Sequence, residues 1–358
     1  MKKPSLSTWF ERVLFASLLL FVVFIPSVYS PFQTPKTLGF YLYIELLLPF
    51  FLILGYRSQF FTHILKDRFT QFFLLFLTIL TASSLLGANP WNSFFGNRLR
   101  MDGVVFWYHL FAYILYLRLA FDQNPRFARK FLYGYFITMS LLGVIAVLQT
   151  IGWIPAIDKA FTSRSTATFG NPSVLASVLI APLFLALSFF KKQILHKQNL
   201  LTGSFILILI ISIISTGTRG ALIGIFLGAL TYGLLMVLRR YKIHAKKIIG
   251  GIVLITLLSG AGLFLANPSL SIGDTSLKSR LIYWEIAIEG WVDAPILGVG
   301  HQNFDSVAER LYDPELYTIS STWPDKPHNI FLELLVTTGL LGLISYLLLL
   351  GTWISSSK

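Results

Sequence analysis

Repeated apolar runs of about twenty residues constrain this chain more than any other feature. Each run is long enough to cross about 30 Å of hydrocarbon, and it must be a helix because lipid cannot satisfy open backbone groups. Only 13% of the residues are charged, against about a quarter in soluble domains. The sequence therefore predicts an all-α, polytopic integral membrane protein with about ten transmembrane helices. The predicted spans are approximately 13–30, 38–56, 69–87, 104–121, 131–152, 173–190, 200–216, 220–238, 248–266 and 329–351.

Lys and Arg residues predict how these helices are oriented. With the N-terminus in the cytoplasm, most of the 29 basic residues fall in inner loops, as the positive-inside rule requires. The net charge of +13 is thereby assigned to membrane topology, and no nucleic-acid partner is predicted. We expect three regions: helices one to nine with short loops in 1–266, a long extracytoplasmic loop in 267–328, and a last helix with a short cytoplasmic end in 329–358.

The long outer loop has its own helical pattern. A helix is predicted between Thr275 and Gly290, and a second, shorter one from about Asn303 to Leu311. Tryptophans in the first suggest an amphipathic helix along the membrane surface. Its predicted apolar stripe consists of Leu277, Leu281, Trp284, Ile288 and Trp291.

Three polar residues at this outer face are candidates for catalysis. Arg219 lies between two apolar runs among glycines and hydroxyls, where a cation near hydrocarbon usually has a function, and its guanidinium suits phosphate oxygens. Arg280, one turn before Trp284, has the same potential, although a cation–π contact would also explain it. His328 opens the last span, and a helix start disfavours its protonated form, which suits a general base. His301 is a weaker second candidate.

Metal and cofactor chemistry receives little support from the sequence. Asp313 and Glu315 form the one acid-x-acid pair of the outer loop, an arrangement that can hold a divalent ion on a diphosphate. No Walker loop or dinucleotide-binding loop is present, and the chain contains no cysteine. We therefore predict no metal site and no cofactor.

Four stretches together form a recognisable pattern over roughly residues 164–351. They are Thr168 to Pro172 with Leu175-Ala176, Ser215 to Ala221, Ser279 to Phe304 with its Pro295 to Gly300 segment, and Pro327 to Leu334 closing with Thr338 to Gly342. In this pattern the chain resembles the bacterial O-antigen ligase family, which also holds O-antigen polymerases and O-oligosaccharyltransferases. Members have more spans than the ten predicted, which implies either a fragment or a helix not counted.

The resemblance implies an inverting, metal-independent glycosyltransferase of the kind used in lipopolysaccharide biosynthesis. Its donor would be a glycan linked to a polyprenyl diphosphate such as undecaprenyl diphosphate, and its acceptor a hydroxyl. Family roles place Arg219 and Arg280 on the diphosphate and His328 on the acceptor hydroxyl. Further candidates for substrate binding, at matching motifs or on the same face, are Arg98, Arg100, Arg164, Asn171, Asn329 and Glu333.

The resemblance leaves the acceptor open. A lipid A core, a growing polymer or a protein Ser/Thr would each fit the chemistry, so ligase, polymerase and protein O-oligosaccharyltransferase remain alternatives. A transporter or flippase of lipid-linked saccharides is the rival from another class; Glu45 is the main ionisable residue that it could use within a span. The expected location is the bacterial cytoplasmic (inner) membrane, with the active site facing the periplasm.

Overall fold

The computed structural model describes residues 5–26, 30–98, 100–155, 164–187, 189, 197–240, 275–319 and 323–355. Every regular element within these ranges is a helix, which confirms the predicted all-α class. The predicted ninth span, 248–266, lies outside the described residues. The helices are α1 Leu6–Ala16, α2 Thr34–Arg57, α3 Phe60–Ile64, α4 Arg68–Leu86, α5 Pro90–Phe95, α6 Val104–Gln123, α7 Pro125–Thr150, α8 Pro172–Leu187, α9 Lys197–Ser215, α10 Arg219–Arg240, α11 Thr275–Asp293, α12 Phe304–Arg310, α13 Glu315–Ile319 and α14 Ile330–Ser355.

Six helices of the described part are long and apolar enough to cross a membrane: α2, α4, α6, α7, α9 and α14. Two shorter apolar helices, Pro172–Leu187 and Arg219–Leu234, correspond to predicted spans six and eight. The first predicted span differs from the structure. A single helix was predicted over 13–30, but α1 begins at Leu6 and ends at Ala16, and a 3-10 helix follows it to Phe21. At the start of α1 the Ser5 hydroxyl accepts a hydrogen bond from the Thr8 amide at 3.2 Å.

Asn-Pro pairs begin three of the helices. The Oδ1 atom of each asparagine accepts a hydrogen bond from a first-turn amide, at 3.1 Å for Asn89, 3.2 Å for Asn124 and 2.8 Å for Asn171. Proline follows each asparagine at a position where no amide hydrogen is needed. These caps fix where α5, α7 and α8 start, next to the loops that carry the polar residues.

The chain folds as two compact units. The first unit comprises Met1–Leu14, Thr37–Gln123 and Asn267–Lys358. In it α14 packs on α4 and α6, with Phe76, Leu80, Val104 and Leu334 almost fully buried. α11 packs on α12 and α14 through a second core of Ile282, Tyr283, Ile286, Ala287, Phe304, Val307, Ala308, Leu316 and Val336.

The second unit comprises Phe15–Lys36 and Asn124–Ala266. Its core lies among α7, α8 and α9 and includes Met139, Leu142, Leu175, Leu179, Leu209 and Ile213. Ala167, in the loop before α8, is buried in the same cluster. The loop is therefore held directly on the helices.

The α11 helix confirms the prediction for 275–290 but buries a different face from the predicted stripe. Leu281 and Ile288 are 38% and 49% exposed, whereas Ile282 and Ile286 are buried. Gly290 shows why the packed face needs small residues: a Cβ there would lie 2.3 Å from the Val307 side chain. Of the predicted stripe, Leu281 and Ile288 are exposed, whereas Trp291 packs against the core that α11 shares with α12 and α14. The second predicted outer helix is α12.

Candidate active site

Two of the predicted outer loops meet in the first unit. The Ala88 amide donates to the Val299 carbonyl at 2.8 Å, and the Asn92 side-chain amide donates to the Gln302 carbonyl at 2.7 Å. The side chain of Gln302 also reaches the Asp102 carbonyl at 3.1 Å. The loops on either side of α5 and the described part of the predicted 267–328 loop are therefore joined within this unit.

The segment from Pro295 to Gly300 is built into a break in α14. Gly339 has φ 66° and ψ −170°, which interrupts the helix. The Gly300 amide donates to the Thr337 carbonyl at 2.8 Å, and the Leu340 amide donates to the Pro295 carbonyl at 2.9 Å. Backbone groups released by the break are thus satisfied by the inserted loop, which buried polar groups require.

Glycine is necessary at this insertion because backbone meets backbone. A Cβ on Gly298 would lie 2.4 Å from the Thr337 carbonyl carbon, and one on Gly339 would lie 2.2 Å from that of Ile296. Both residues also have positive φ values of 66°, which a side chain disfavours. The Pro295 to Gly300 and Thr338 to Gly342 motifs are therefore two halves of one packed structure.

An ionic cluster lies next to this insertion. Lys326 places its Nζ 2.8 Å from Oδ2 of Asp102 and 3.4 Å from Oε1 of Glu333. Arg100 and Asp325 form a second pair at 2.7 Å. Asp102, Asp325 and Lys326 are not among the site residues predicted from the sequence. Their positions in the sequence could have indicated a role. Lys326 lies two residues before His328, and Asp102 lies two residues before an apolar span.

Both members of the central pair are charged at neutral pH. Burial alone would raise the pKa of Asp102, but the Lys326 ammonium outweighs burial and holds that pKa below its usual value. Burial alone would lower the pKa of Lys326, but Glu333 and Asp102 together raise it. The pair is therefore an ion pair and not a neutral hydrogen bond.

His301 is neutral and buried beneath the loop. Its Nε2 lies 3.2 Å from the Asp102 carbonyl oxygen, and burial, with a contribution from Lys326, lowers its pKa to about 4. Its 4% exposure leaves little access for a substrate. The structure gives His301 a packing position, in contrast to the exposed His328.

His328 lies on the short stretch that leads into α14. Its backbone has a positive φ of 53°, and its ring centroid lies 5.9 Å from that of Tyr283 on α11. More than a third of its surface is exposed, yet partial burial lowers its pKa; Asp325 opposes this shift and Arg280, Arg100 and Lys326 add to it. The imidazole is therefore mostly neutral at pH 7, with a lone pair available for a proton.

Arg280 differs from its basic neighbours in having no acidic partner in the part of the chain that the structure describes. Carboxylates pair with Arg100, Lys278, Arg310 and Lys326. Among the described residues, none lies within ion-pair distance of Arg280, which is exposed on α11. Its charge nevertheless reaches His328, whose pKa it lowers. Arg280 is thus a cation near the imidazole whose charge no described carboxylate neutralises.

The remaining predicted residues of the first unit have structural contacts. Asn329 caps α14, its Oδ1 accepting from the Phe331 amide at 3.0 Å. Glu333, predicted to bind substrate, forms an ion pair with Lys326. Arg98 is exposed in the loop that also carries Arg100.

The acid-x-acid pair of the outer loop is occupied by contacts within the chain. Oδ1 of Asp313 accepts a bond from the Glu315 amide at 2.8 Å. The Glu315 carboxylate is paired with Lys278. The two side chains are therefore a turn cap and half of a surface ion pair.

In the second unit, Arg164 fixes the turn that precedes Arg219. Its Nε donates to the Thr216 carbonyl at 2.8 Å and its Nη2 to Oγ1 of Thr218 at 3.0 Å. Gly217, with φ 60°, lies against the same side chain; a Cβ there would be 3.4 Å from Nε. Arg219 is the first residue of α10 and is exposed. Arg164 therefore acts on the backbone beside Arg219.

The Thr168 to Pro172 motif is a packed turn at the same end of the second unit. Lys36 donates to the carbonyls of Thr168 at 2.5 Å and of Val23 at 2.6 Å, and its Nζ lies 5.0 Å from the ring centroid of Phe169. Asn171 then caps α8. The structure brings Arg164, Arg219 and Asn171 into one unit, and Arg100, Arg280, His328, Asn329 and Glu333 into the other.

Comparison with known proteins confirms the resemblance. Residues 204–347 match the family model described as O-antigen ligase, a stretch that contains Arg219, Arg280 and His328. An uncharacterized protein of Haemophilus influenzae is 25% identical over 256 residues, which are 66% of this chain and 61% of that protein.

Two further relatives have functional names. The exopolysaccharide production protein ExoQ of Rhizobium meliloti is 34% identical over 141 residues, 38% of this chain and 32% of ExoQ. The ComP-specific O-oligosaccharyltransferase of Acinetobacter baylyi is 26% identical over 360 residues, 96% of this chain and 57% of the relative. The chain thus spans less than two thirds of the length of each of these proteins.

Proposed function

We propose that this chain, whose residues 204–347 belong to the O-antigen ligase family, is a membrane glycosyltransferase. It moves a glycan from a polyprenyl-diphosphate donor to an acceptor hydroxyl on the extracytoplasmic face. The observation that supports this most directly is the juxtaposition of a mostly neutral, exposed His328 with Arg280, which has no carboxylate partner among the described residues. A base and a cation of this kind are what the transfer needs.

The proposed reaction is a single displacement. The acceptor oxygen bonds to the anomeric carbon as the bond from that carbon to the phosphate oxygen breaks, the acceptor proton passes to His328, and the diphosphate leaves with the electron pair. Diphosphate is a good leaving group, so stabilising its charge and activating the hydroxyl are the main requirements. One displacement inverts the anomeric centre.

The ion pairs formed by the carboxylates near His328 support inversion at the anomeric carbon. A retaining enzyme of the double-displacement kind uses a carboxylate nucleophile. In the first unit, Asp102 and Glu333 face Lys326, and Asp325 faces Arg100. The carboxylates described near His328 are thus committed to cations, which favours direct attack by the acceptor.

Arg219 and Arg280 are assigned to the diphosphate. A guanidinium binds phosphate oxygens through paired hydrogen bonds, and Arg219 stands at the N-terminus of α10, where amide groups add positive potential. Arg98, Arg100 and Arg164 are assigned supporting positions for the donor, with Arg164 acting through the turn before Arg219. Asn171, Asn329 and Glu333 complete the proposed substrate-binding set. No metal or cofactor is assigned.

We place the protein in the bacterial cytoplasmic membrane with its N-terminus inside and the site facing the periplasm. The charge pattern supports this orientation, as do the loop contacts within each unit. At the opposite end of the first unit, Arg118 pairs with Asp67 at 2.7 Å, and both lie in segments predicted to be cytoplasmic.

The acceptor defines three forms of this proposal. A lipid A core would make the protein a ligase, a second lipid-linked glycan a polymerase, and a protein Ser/Thr an O-oligosaccharyltransferase. Transport of the lipid-linked glycan is the candidate from another class, and the pair of Glu45 with His109, 3.4 Å apart between α2 and α6, is the observation that favours it.

Transfer of label from a polyprenyl-diphosphate glycan tests the proposal. The full chain in proteoliposomes is offered each acceptor class, with and without excess chelator, and the labelled product is identified. We expect one acceptor to gain label and Arg219→Ala and His328→Ala each to abolish transfer. His63→Ala and Arg126→Ala, exposed residues at the predicted cytoplasmic end, are the matched controls.

Each outcome of this experiment has a distinct meaning. Movement of the glycan across the bilayer without transfer would identify a transporter. Full activity in both catalytic variants would exclude the proposed mechanism while leaving glycosyl transfer intact. Loss of activity in chelator would reinstate a metal ion and direct attention to Asp313 and Glu315.

A further inference from the structure

Lys326 is the best-enclosed cation of the ionic cluster. Its side chain is 17% exposed, and the carboxylates that hold it, Asp102 and Glu333, are 28% and 12% exposed. The two acids belong to different segments: Asp102 stands just before α6, and Glu333 is in the first turn of α14. Lys326 therefore ties together two segments that are far apart in sequence.

The stretch 325–329, which carries His328, is held by contacts on both sides of the histidine. Trp284 donates its indole N–H to the Pro327 carbonyl at 3.0 Å, and Asn329 caps α14. His328 between them has a φ of 53°, which is uncommon for a residue with a side chain. Such a conformation persists only when the surroundings hold it. On the N-terminal side of His328, the Lys326 side chain attaches this stretch to Asp102 and Glu333.

We infer that Lys326 is a positioning residue for His328, held by Asp102 and Glu333 so that the imidazole points to the acceptor. This inference rests on the proposed function, since it presumes that His328 is the base. Lys326 is not assigned to phosphate, because its ammonium group already contacts the carboxylates of Asp102 and Glu333. The cluster fixes the direction of the ring and also acts on it electrostatically.

The charged and titratable groups around both residues define the electrostatic effect. Those acting on His328 are Asp325, Arg280, Arg100 and Lys326. Those acting on Lys326 include Glu333, Asp102 and Arg100, and its own charge acts on buried His301. The Lys326 charge lowers the pKa of His328, so its removal raises that pKa. The base would then be protonated at a higher pH than in the wild-type protein.

The test compares Lys326→Met with Lys326→Arg in the full chain, reconstituted in proteoliposomes with the labelled polyprenyl-diphosphate glycan and the acceptor. We expect Lys326→Met to lower kcat about 100-fold, as small misplacements of a reacting group do, with donor KM near the wild-type value. The acid limb of its pH–rate profile should move to higher pH. Lys326→Arg should restore much of kcat and keep the limb in place. Lys278→Met, which breaks only an exposed pair with Glu315, is the matched control.

The outcomes separate this inference from the proposed function. No transfer by the wild-type chain to any acceptor contradicts the function itself. Transfer by the wild type together with unchanged kcat and pH profile in Lys326→Met overturns the positioning role alone. If Lys326→Met does not fold in detergent, Asp102→Asn replaces it, because it retains side-chain volume and removes one carboxylate. A wild-type kcat in Asp102→Asn would then overturn the inference, and a lowered kcat with unchanged donor KM would support it.

Discussion

The cations in the two units are held by different kinds of group. In the first unit, Arg100 and Lys326 contact carboxylates at 2.7 and 2.8 Å. In the second, Arg164 and Lys36 donate to backbone carbonyls and a threonine hydroxyl. The sequence of the second unit contains a single acidic residue, Asp158, out of 16 in the chain.

This difference gives the two units different electrostatic character. Carbonyl and hydroxyl oxygens orient Arg164 and Lys36 without cancelling their charge, and the single acidic residue leaves the second unit with an excess of basic residues. Carboxylates offset the charge they hold, so in the first unit Arg100, Lys278, Arg310 and Lys326 are used in ion pairs, whereas no described carboxylate pairs with Arg280. We infer that the basic second unit attracts the anionic donor, whereas the first contributes Arg280 to the diphosphate and His328 to the acceptor.

The largest loss of activity expected in the first unit is at Arg280, which no described carboxylate pairs with, and not at Arg100, which pairs with Asp325. Arg280→Ala should lower kcat/KM about 100-fold or more, as removal of one donor to a developing anion does. Arg100→Ala should cost about fivefold or less, because a partly exposed ion pair is worth about 1 kcal/mol or less. Steady-state transfer kinetics of the two variants in proteoliposomes measure the contrast. Equal losses would mean that Arg100 contributes as much to donor binding as Arg280 and that pairing does not distinguish the two residues.

A carboxylate introduced into the second unit tests its proposed positive character. Thr218→Asp places an acid where Oγ1 accepts from Arg164 at 3.0 Å, next to Arg219. We expect donor KM to rise about 10- to 100-fold, because the new carboxylate repels the diphosphate and competes with it for Arg219, and a hydrogen bond to a charged group is worth about 1.5–3 kcal/mol.

Thr218→Asn is the control for this variant because it offers a neutral oxygen to Arg164. Titration of the donor at two ionic strengths identifies the cause, since an electrostatic effect is weakened by salt. An unchanged donor KM in Thr218→Asp would show that the donor does not depend on charge at this turn.

The apolar pattern predicted most of the helices because the bilayer permits few other structures. Apolar run length placed α2, α4, α6 and α14 to within a few residues, whereas α7 begins at Pro125, six residues before its predicted start. The start of α1 was less accessible, since it depends on a single serine cap. The packed face of α11 was not predicted either, because its choice between two apolar faces depends on small residues such as Gly290 meeting Val307.

The candidate site was only partly accessible from sequence for a related reason. Residue chemistry identified Arg219, Arg280 and His328, but partners distant in sequence decide what each charge can do. Lys326 and Asp102 are 224 residues apart, and no periodicity links them. The sequence likewise does not show why glycine is needed in the glycine motifs. Gly298 and Gly339 contact backbone atoms at the break in α14, where a side chain would not fit.

The smallest expected effect concerns Asp325, which pairs with Arg100 and raises the pKa of His328. Asp325→Asn removes that influence and releases Arg100, whose charge lowers the same pKa, so both changes have one sign. The acid limb of the pH–rate profile should move to lower pH, by at most about one unit, because the half-exposed ring is screened by solvent. Profiles of initial transfer rate against pH for the wild type and Asp325→Asn measure the shift, with Asp293→Asn, which loses an exposed pair with Arg310, as the matched control. A shift to higher pH would mean that another group limits the rate at acid pH, and the first unit would then lose its assigned role of activating the acceptor.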